Sequence, residues 1–177
     1  LVSNTVWLKF SAGDLITCGL DQKHQVYFMK NNQMLRTCRV ISPDVDLYPA
    51  IGVDGCSCRI MENGSFSVAL PILSYSKSVA NNYIFSDGSW LSMVHDPKVK
   101  DKETNQCILA TKPLRECDNY YFEVHIKSIK QGGVVAIGLA DRQYPNTKLP
   151  GWKKDSIALH SDDGFIWKDK YACPFKK

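Results

Sequence analysis

Short runs of β-branched and aromatic residues, each closed by turn residues, recur along this chain and leave little room for any fold but sheet. Leu15 to Leu20, Gln25 to Lys30 and Met34 to Val40 are such runs. Lys30-Asn31-Asn32-Gln33 between the last two has hairpin chemistry, because asparagine tolerates positive φ. Leu47 to Val53 and Ser57 to Glu62 continue the pattern, and Asn63-Gly64 marks a turn before Phe66 to Leu70. Further runs follow at Tyr83 to Phe85, Cys107 to Ala110, Tyr120 to Lys127 and Val134 to Leu139, with a charged loop over Asp96 to Asn105. Gly132-Gly133 lies between the last two runs and reads as a hairpin turn. No stretch carries the i, i+3, i+4, i+7 period of a long amphipathic helix. The expectation is an all-β chain, an antiparallel two-sheet β-sandwich.

The pattern weakens into Ser, Asn and Lys over 71–82, which is the expected linker between segments 1–70 and 83–177. A length of 177 residues suits one domain, or one domain with an incomplete neighbour. The opening Leu1-Val2-Ser3-Asn4 is neither an initiator methionine nor a signal peptide, so a fragment is expected. With 44% apolar and 11% aromatic residues the chain can build a core. The net charge of +4 is mild and its charges are interspersed, which argues against nucleic acid as a partner. No apolar run approaches the roughly 18–20 residues of a membrane helix, so no membrane partner is expected.

Seven cysteines is an odd number, and several sit in strand-like runs as buried free thiols do. Cys56-Ser57-Cys58 is poor zinc spacing, and no metal or cofactor is expected. The cysteines suit a reducing compartment, the cytoplasm or alternatively the nucleus. Nothing points to catalysis or to a small-molecule substrate. Asp162-Asp163, ahead of Gly164, reads as a turn, since neighbouring strand residues point to opposite faces and cannot flank one bond. His24, His95, His125 and His160 do not fall at metal spacing, and no thiol is placed beside a base. Phe28, Tyr48, Tyr121 and Phe122 are expected in the core. Lys168, Lys170, Lys176 and Lys177 read as a solvated edge.

Several motifs together go beyond a generic sandwich. Tyr120-Tyr121-Phe122-Glu123-Val124-His125-Ile126 leads to Ala136-Ile137-Gly138-Leu139, then Leu149-Pro150-Gly151-Trp152, Ser156-Ile157-Ala158-Leu159 and His160-Ser161-Asp162-Asp163-Gly164. In order and spacing this resembles the first half of a SPRY domain. Upstream, Gly13 to Gly19, Val26 to Asn32 and Asp46-Leu47-Tyr48-Pro49-Ala50-Ile51-Gly52 resemble the second half, with Asn32 where the family has glycine. The order implies the C-terminal half of one SPRY unit followed by the N-terminal half of the next, as in members of the family that carry two units. The halves supply complementary strands, which implies that 13–70 and 83–177 can join into one composite, circularly permuted sandwich.

The resemblance implies a non-catalytic protein–protein interaction module, a scaffold or adaptor whose loops recognise a peptide or a partner surface. Two loops correspond to the family's binding face: Asp54, Gly55, Cys56 and Ser57, and Asp141 to Lys148. In the second, Arg142 offers a fork for carboxylates, Tyr144 a stiff amphipathic anchor and Asn146 a backbone-pairing amide, with Lys148 alongside. Trp152 is expected to pack on the sandwich with one edge on that face. The well-known peptide binders carry tryptophan where this chain has Gly55, so their peptide motif does not transfer. The alternative is a lectin-like sandwich, towards which Asp162-Asp163 and Trp152 point.

Overall fold

The structure, a computed structural model, describes residues 9–39, 45–61, 90–94, 106–110, 112–114 and 121–173. The described part is built of ten strands: β1 (Leu15–Leu20), β2 (Gln25–Lys30), β3 (Gln33–Arg39), β4 (Tyr48–Met61), β5 (Trp90–Val94), β6 (Gln106–Leu109), β7 (Tyr121–Ala140), β8 (Ser156–His160), β9 (Ile166–Lys168) and β10 (Tyr171–Cys173). Every pairing among them is antiparallel.

Two long strands organise the sandwich. The first half of β7 pairs with β1 on one side and with the second half of β4 on the other. The second half of β7 pairs with β8 and with the first half of β4. One layer therefore runs β3-β2-β1-β7-β4-β5, and the other runs β6-β4-β7-β8-β9-β10. Between them the β4–β7 register jumps from Asp54↔Val134 to Cys56↔Ile129, and Gly132 has φ 77°. A bulge of this kind bends a paired ribbon and carries it from one layer into the other.

The core lies between the layers because large residues alternate with smaller or polar ones. Phe122, Val124 and Ile126 of β7 point inward, while Tyr121, Glu123 and His125 are partly exposed. Ile16, Cys18, Val26 and Phe28 from the first layer join Ile51, Val135, Ile137, Leu139, Ile157 and Leu159 from the second in one buried cluster. Each large side chain so buried contributes about 1.5–3 kcal/mol.

The expected Asn31-Asn32 turn is present as a two-residue hairpin, with φ of 49° and 64° and Lys30 paired to Gln33. Asn31 Oδ1 accepts from the Leu15 N–H at 2.8 Å, and its Nδ2 donates to Asp14 Oδ1 at 2.9 Å. Lys30 Nζ lies 2.9 Å from the other Asp14 oxygen. Burial alone would raise the Asp14 carboxyl. The Ser11 N–H, Lys30 and Asn31 outweigh it and hold the group below the usual carboxylate value.

Three sequence expectations are corrected. Gly132-Gly133 does not turn a hairpin, because β7 runs unbroken from Tyr121 to Ala140 and bends there instead. Gly55, Cys56 and Ser57 form no loop; they lie inside β4, at the bend, where the ladder skips Gly55 and pairing with β7 resumes at Cys56. Tyr121 is only partly buried, lying over Gly19 on the outer face beside Tyr27. The runs at 66–70 and 83–85, the linker at 71–82 and the charged loop at 96–105 lie outside the described residues.

Candidate functional site

Many outward-facing positions of the second layer are small: Ala50 and Gly52 on β4, Ala136, Gly138 and Ala140 on β7, Ala158 on β8. Such a face leaves room for a covering segment, and residues 141–152 fill it. Tyr144 packs with Ala50, Cys107 and Ala140, and Leu149 with Ala136 and Ala158. A Cβ on Gly52 would lie 2.5 Å from Pro150 Cδ, so only glycine lets the loop approach this closely.

The loop is fixed at both ends. Asp141 N–H donates to the Asp155 carbonyl at 2.9 Å, and the Asp141 carbonyl accepts from Tyr144 N–H at 3.0 Å. The Asn146 carbonyl accepts from Cys107 N–H at 2.7 Å, tying the loop to the edge strand β6. Pro150-Gly151-Trp152 is held more completely. Pro150 O lies 2.8 Å from His160 Nε2, Gly151 N–H donates to Ser156 Oγ at 2.9 Å, and Gly151 O accepts from Lys170 N–H at 2.8 Å. A peptide segment with its backbone groups satisfied in this way is a stiff platform.

On that frame Arg142 and Asn146 are exposed, and the Arg142 guanidinium stands 5.8 Å from the centre of the Tyr48 ring. Tyr144 is not the exposed anchor expected of it. It is 7% exposed, its hydroxyl donates to the Leu149 carbonyl at 2.6 Å, and burial pushes its pKa up to about 12. It holds the loop down and leaves Arg142 and Asn146 to face solvent. Asp54 is partly buried in β4 opposite Val134, two residues beyond Gly52 and the Leu149–Pro150 cover. Lys148 and Trp152 are half-buried at the end of the loop.

Those two residues open onto a cleft of about 480 Å³. Its floor is aromatic: His160 lies between Trp152 and Trp167, with ring centres 5.7 and 6.0 Å away and interplanar angles of 40° and 41°. Lys148, Lys153 and Lys170 line it as cations, Asp162 and Asp163 as anions. The sequence reading placed Asp162-Asp163 in a turn, and there they are. Asp163 Oδ1 accepts from Phe165 N–H and Oδ2 from Trp167 Nε1, both at 2.8 Å. His160 is 1% exposed, and burial lowers its pKa against opposing effects of the Pro150 carbonyl, Asp163 and Asp162. The ring is therefore neutral at pH 7, with its proton on Nε2, where it donates to Pro150.

The sequence reading missed the part played by His160, Trp167, Lys153 and Lys170. The available signal was the alternation of small residues in Ala136-Ile137-Gly138-Leu139-Ala140, which asks for a cover on one face and so for a rim around it. Among the described residues no three His, Cys, Asp or Glu side chains gather as metal ligands. Cys18 and Cys107 are buried and form no disulfide, and burial pushes the Cys107 thiol above its usual range.

A two-layer antiparallel sandwich with a fixed loop folded over one outer face defines the architectural class. Within it, residues 119–175 match the SPRY domain family model. SPRY domain-containing protein 3 of Homo sapiens is 30% identical over 177 aligned residues, taking in 90% of this chain and 38% of that protein. The Ran-binding protein M homolog of Arabidopsis thaliana is 32% identical over 96 residues, 49% of this chain and 20% of its own length. Ran-binding protein 9 of Homo sapiens is 43% identical over 58 residues, 32% of this chain and 8% of its own. The chain thus spans well under half the length of these relatives. No solved structure matches it significantly. Residues 119–175 belong to the SPRY domain family, and the chain as a whole is similar to SPRY domain-containing protein 3.

Proposed function

We propose that this chain is a non-catalytic scaffold or adaptor module that recognises a peptide or partner surface through the loop at 141–148. The observation that carries the reading is the division of labour in that loop. Tyr144 and the Asn146 backbone are committed to the sandwich, while the Arg142 and Asn146 side chains stand in solvent on a fixed frame. Preorganised polar groups on a rigid scaffold lose little entropy on binding. Relatives named for Ran binding and for SPRY domains support a protein partner. The buried thiols suit a reducing compartment, and we place the module in the cytoplasm on that ground. A peptide-display selection on the wild-type chain and on an Arg142→Ala/Asn146→Ala variant tests the reading. Enriched peptides that the variant loses, with its melting temperature unchanged, support it; an identical selection on both overturns it.

A lectin-like reading draws on one observation, that Trp152 and Asp162 share a cleft. A glycan-array signal abolished by a calcium chelator would favour it over peptide capture.

The two segments, 1–70 and 83–177, we assign to consecutive SPRY units of a longer protein, joined here in one sandwich through β1–β7 and β4–β7. The order of the motifs and an alignment covering 90% of this chain within 38% of a relative support this assignment. Limited proteolysis should cut within 71–82 and leave the two pieces associated. Release of two unstructured pieces would contradict the assignment.

A further inference from the structure

The cleft beyond the loop has a chemistry of its own. Its anionic and hydrogen-bonding groups are largely committed inward. Both Asp163 oxygens accept hydrogen bonds, the Trp167 indole N–H is spent on one of them, and His160 Nε2 is spent on Pro150. The cations come from separate segments, Lys148 and Lys153 around the Pro-Gly-Trp turn and Lys170 from the β9–β10 turn.

Lys170 is placed there at a cost. Asp169 and Lys170 have φ of 52° and 71°, the conformation a two-residue hairpin needs and one that glycine and asparagine adopt more easily. The Lys170 N–H is tied to the Gly151 carbonyl, so its backbone is locked to the Pro-Gly-Trp turn beside the aromatic floor. A ligand for this cleft must bring acceptors to Lys153 and Lys170 and an apolar group to the indoles. The exposed carboxylate of Asp162 discourages a ligand that is anionic throughout, such as a phosphodiester strand. The volume of about 480 Å³ falls in the usual range of ligand clefts.

We propose that this cleft binds an acidic peptide segment of a partner protein, seating an apolar side chain on Trp152 and Trp167 and setting neighbouring carboxylates against Lys153 and Lys170. The proposal rests on reading the chain as a protein-binding module, but not on the 141–148 loop.

The test uses the full chain and fluorescein-labelled octapeptide pools with a fixed Phe-Glu-Glu, Phe-Lys-Lys or Ala-Glu-Glu centre, read by anisotropy. The Phe-Glu-Glu pool should bind roughly tenfold more tightly than either control, and 0.5 M salt should erode the preference. Lys153→Glu/Lys170→Glu should abolish the preference with the melting temperature unchanged, and Arg142→Ala/Asn146→Ala should keep it. Equal binding of the three pools overturns the proposal. So does insensitivity to the Lys153/Lys170 variant, equal loss in the Arg142/Asn146 variant, or stronger competition by a sialylated glycan or an RNA oligomer. If the acidic pool fails while display-selected peptides still bind through Arg142, this inference falls and the module reading stands; if both fail, both fall.

Discussion

The Trp167 indole donates to the Asp163 carboxylate across 2.8 Å, and this one bond joins the turn after β8 to strand β9 beneath the cleft. The other Asp163 oxygen caps the Phe165 N–H, so the second aspartate of the pair is structural and the first, Asp162, is exposed.

Asp163→Asn removes one charged acceptor and should cost about 2 kcal/mol, as hydrogen bonds to charged groups are worth about 1.5–3 kcal/mol. Asp162→Ala should stay within about 0.5 kcal/mol, as an exposed substitution does. Urea unfolding followed by tryptophan emission measures both. Equal effects would contradict the assignment of roles within the pair.

Tyr144→Phe deletes the hydroxyl that donates to Leu149 and leaves that carbonyl short of one bond while Trp152 N–H still donates to it. The expected loss is about 1 kcal/mol of stability. Arg142→Ala, whose side chain is exposed, should leave the unfolding midpoint within error. A Tyr144→Phe protein of full stability would mean that the loop is held some other way.

How much of this was legible beforehand differs by element. The strands followed from β-branched runs and the β2–β3 turn from two asparagines, because those signals are local. The bend was not legible. Gly132-Gly133 and Gly55 look like turns in isolation, and only the pairing of β4 with β7 over both halves shows a continuous ribbon. Tyr144 looked like a surface anchor because loop tyrosines often are, and its burial depends on small residues across the sheet at Ala50 and Ala140. Trp152 and Asp162 stand together in the lectin-like alternative, but their convergence with Trp167 and Lys170 is a tertiary fact that spacing does not carry.

Gly151 combines φ 94° with a tight approach, since a Cβ there would lie 2.7 Å from Trp167 Cβ and 2.9 Å from the Trp167 carbonyl oxygen. Gly151→Ala should therefore cost about 3 kcal/mol, through backbone strain and displacement of β9. Thermal unfolding reads the loss. A neutral effect would contradict the geometry of the Pro-Gly-Trp turn.

The pH dependence of stability has a defined sign at His160. Its native pKa lies below the ordinary 6.5 because the ring is buried. As pH falls through about 6.5 the unfolded chain takes up a proton that the native chain refuses. Stability is thus fully present above that value, declines below it and levels off only beneath the native pKa. The urea midpoint should drop between pH 7.5 and 5.0, and His160→Gln should flatten part of that slope. An unchanged slope in the variant would place the titration elsewhere.

Recognition of a protein ligand by the fixed 141–148 loop is open to amide chemical-shift mapping of the ¹⁵N-labelled chain, titrated with a display-selected peptide. Perturbations should concentrate in residues 141–148, with Arg142 and Asn146 foremost, and leave β1 and β2 little changed. Perturbations confined to other surfaces, or no peptide enriched above an unrelated sandwich protein, would contradict it.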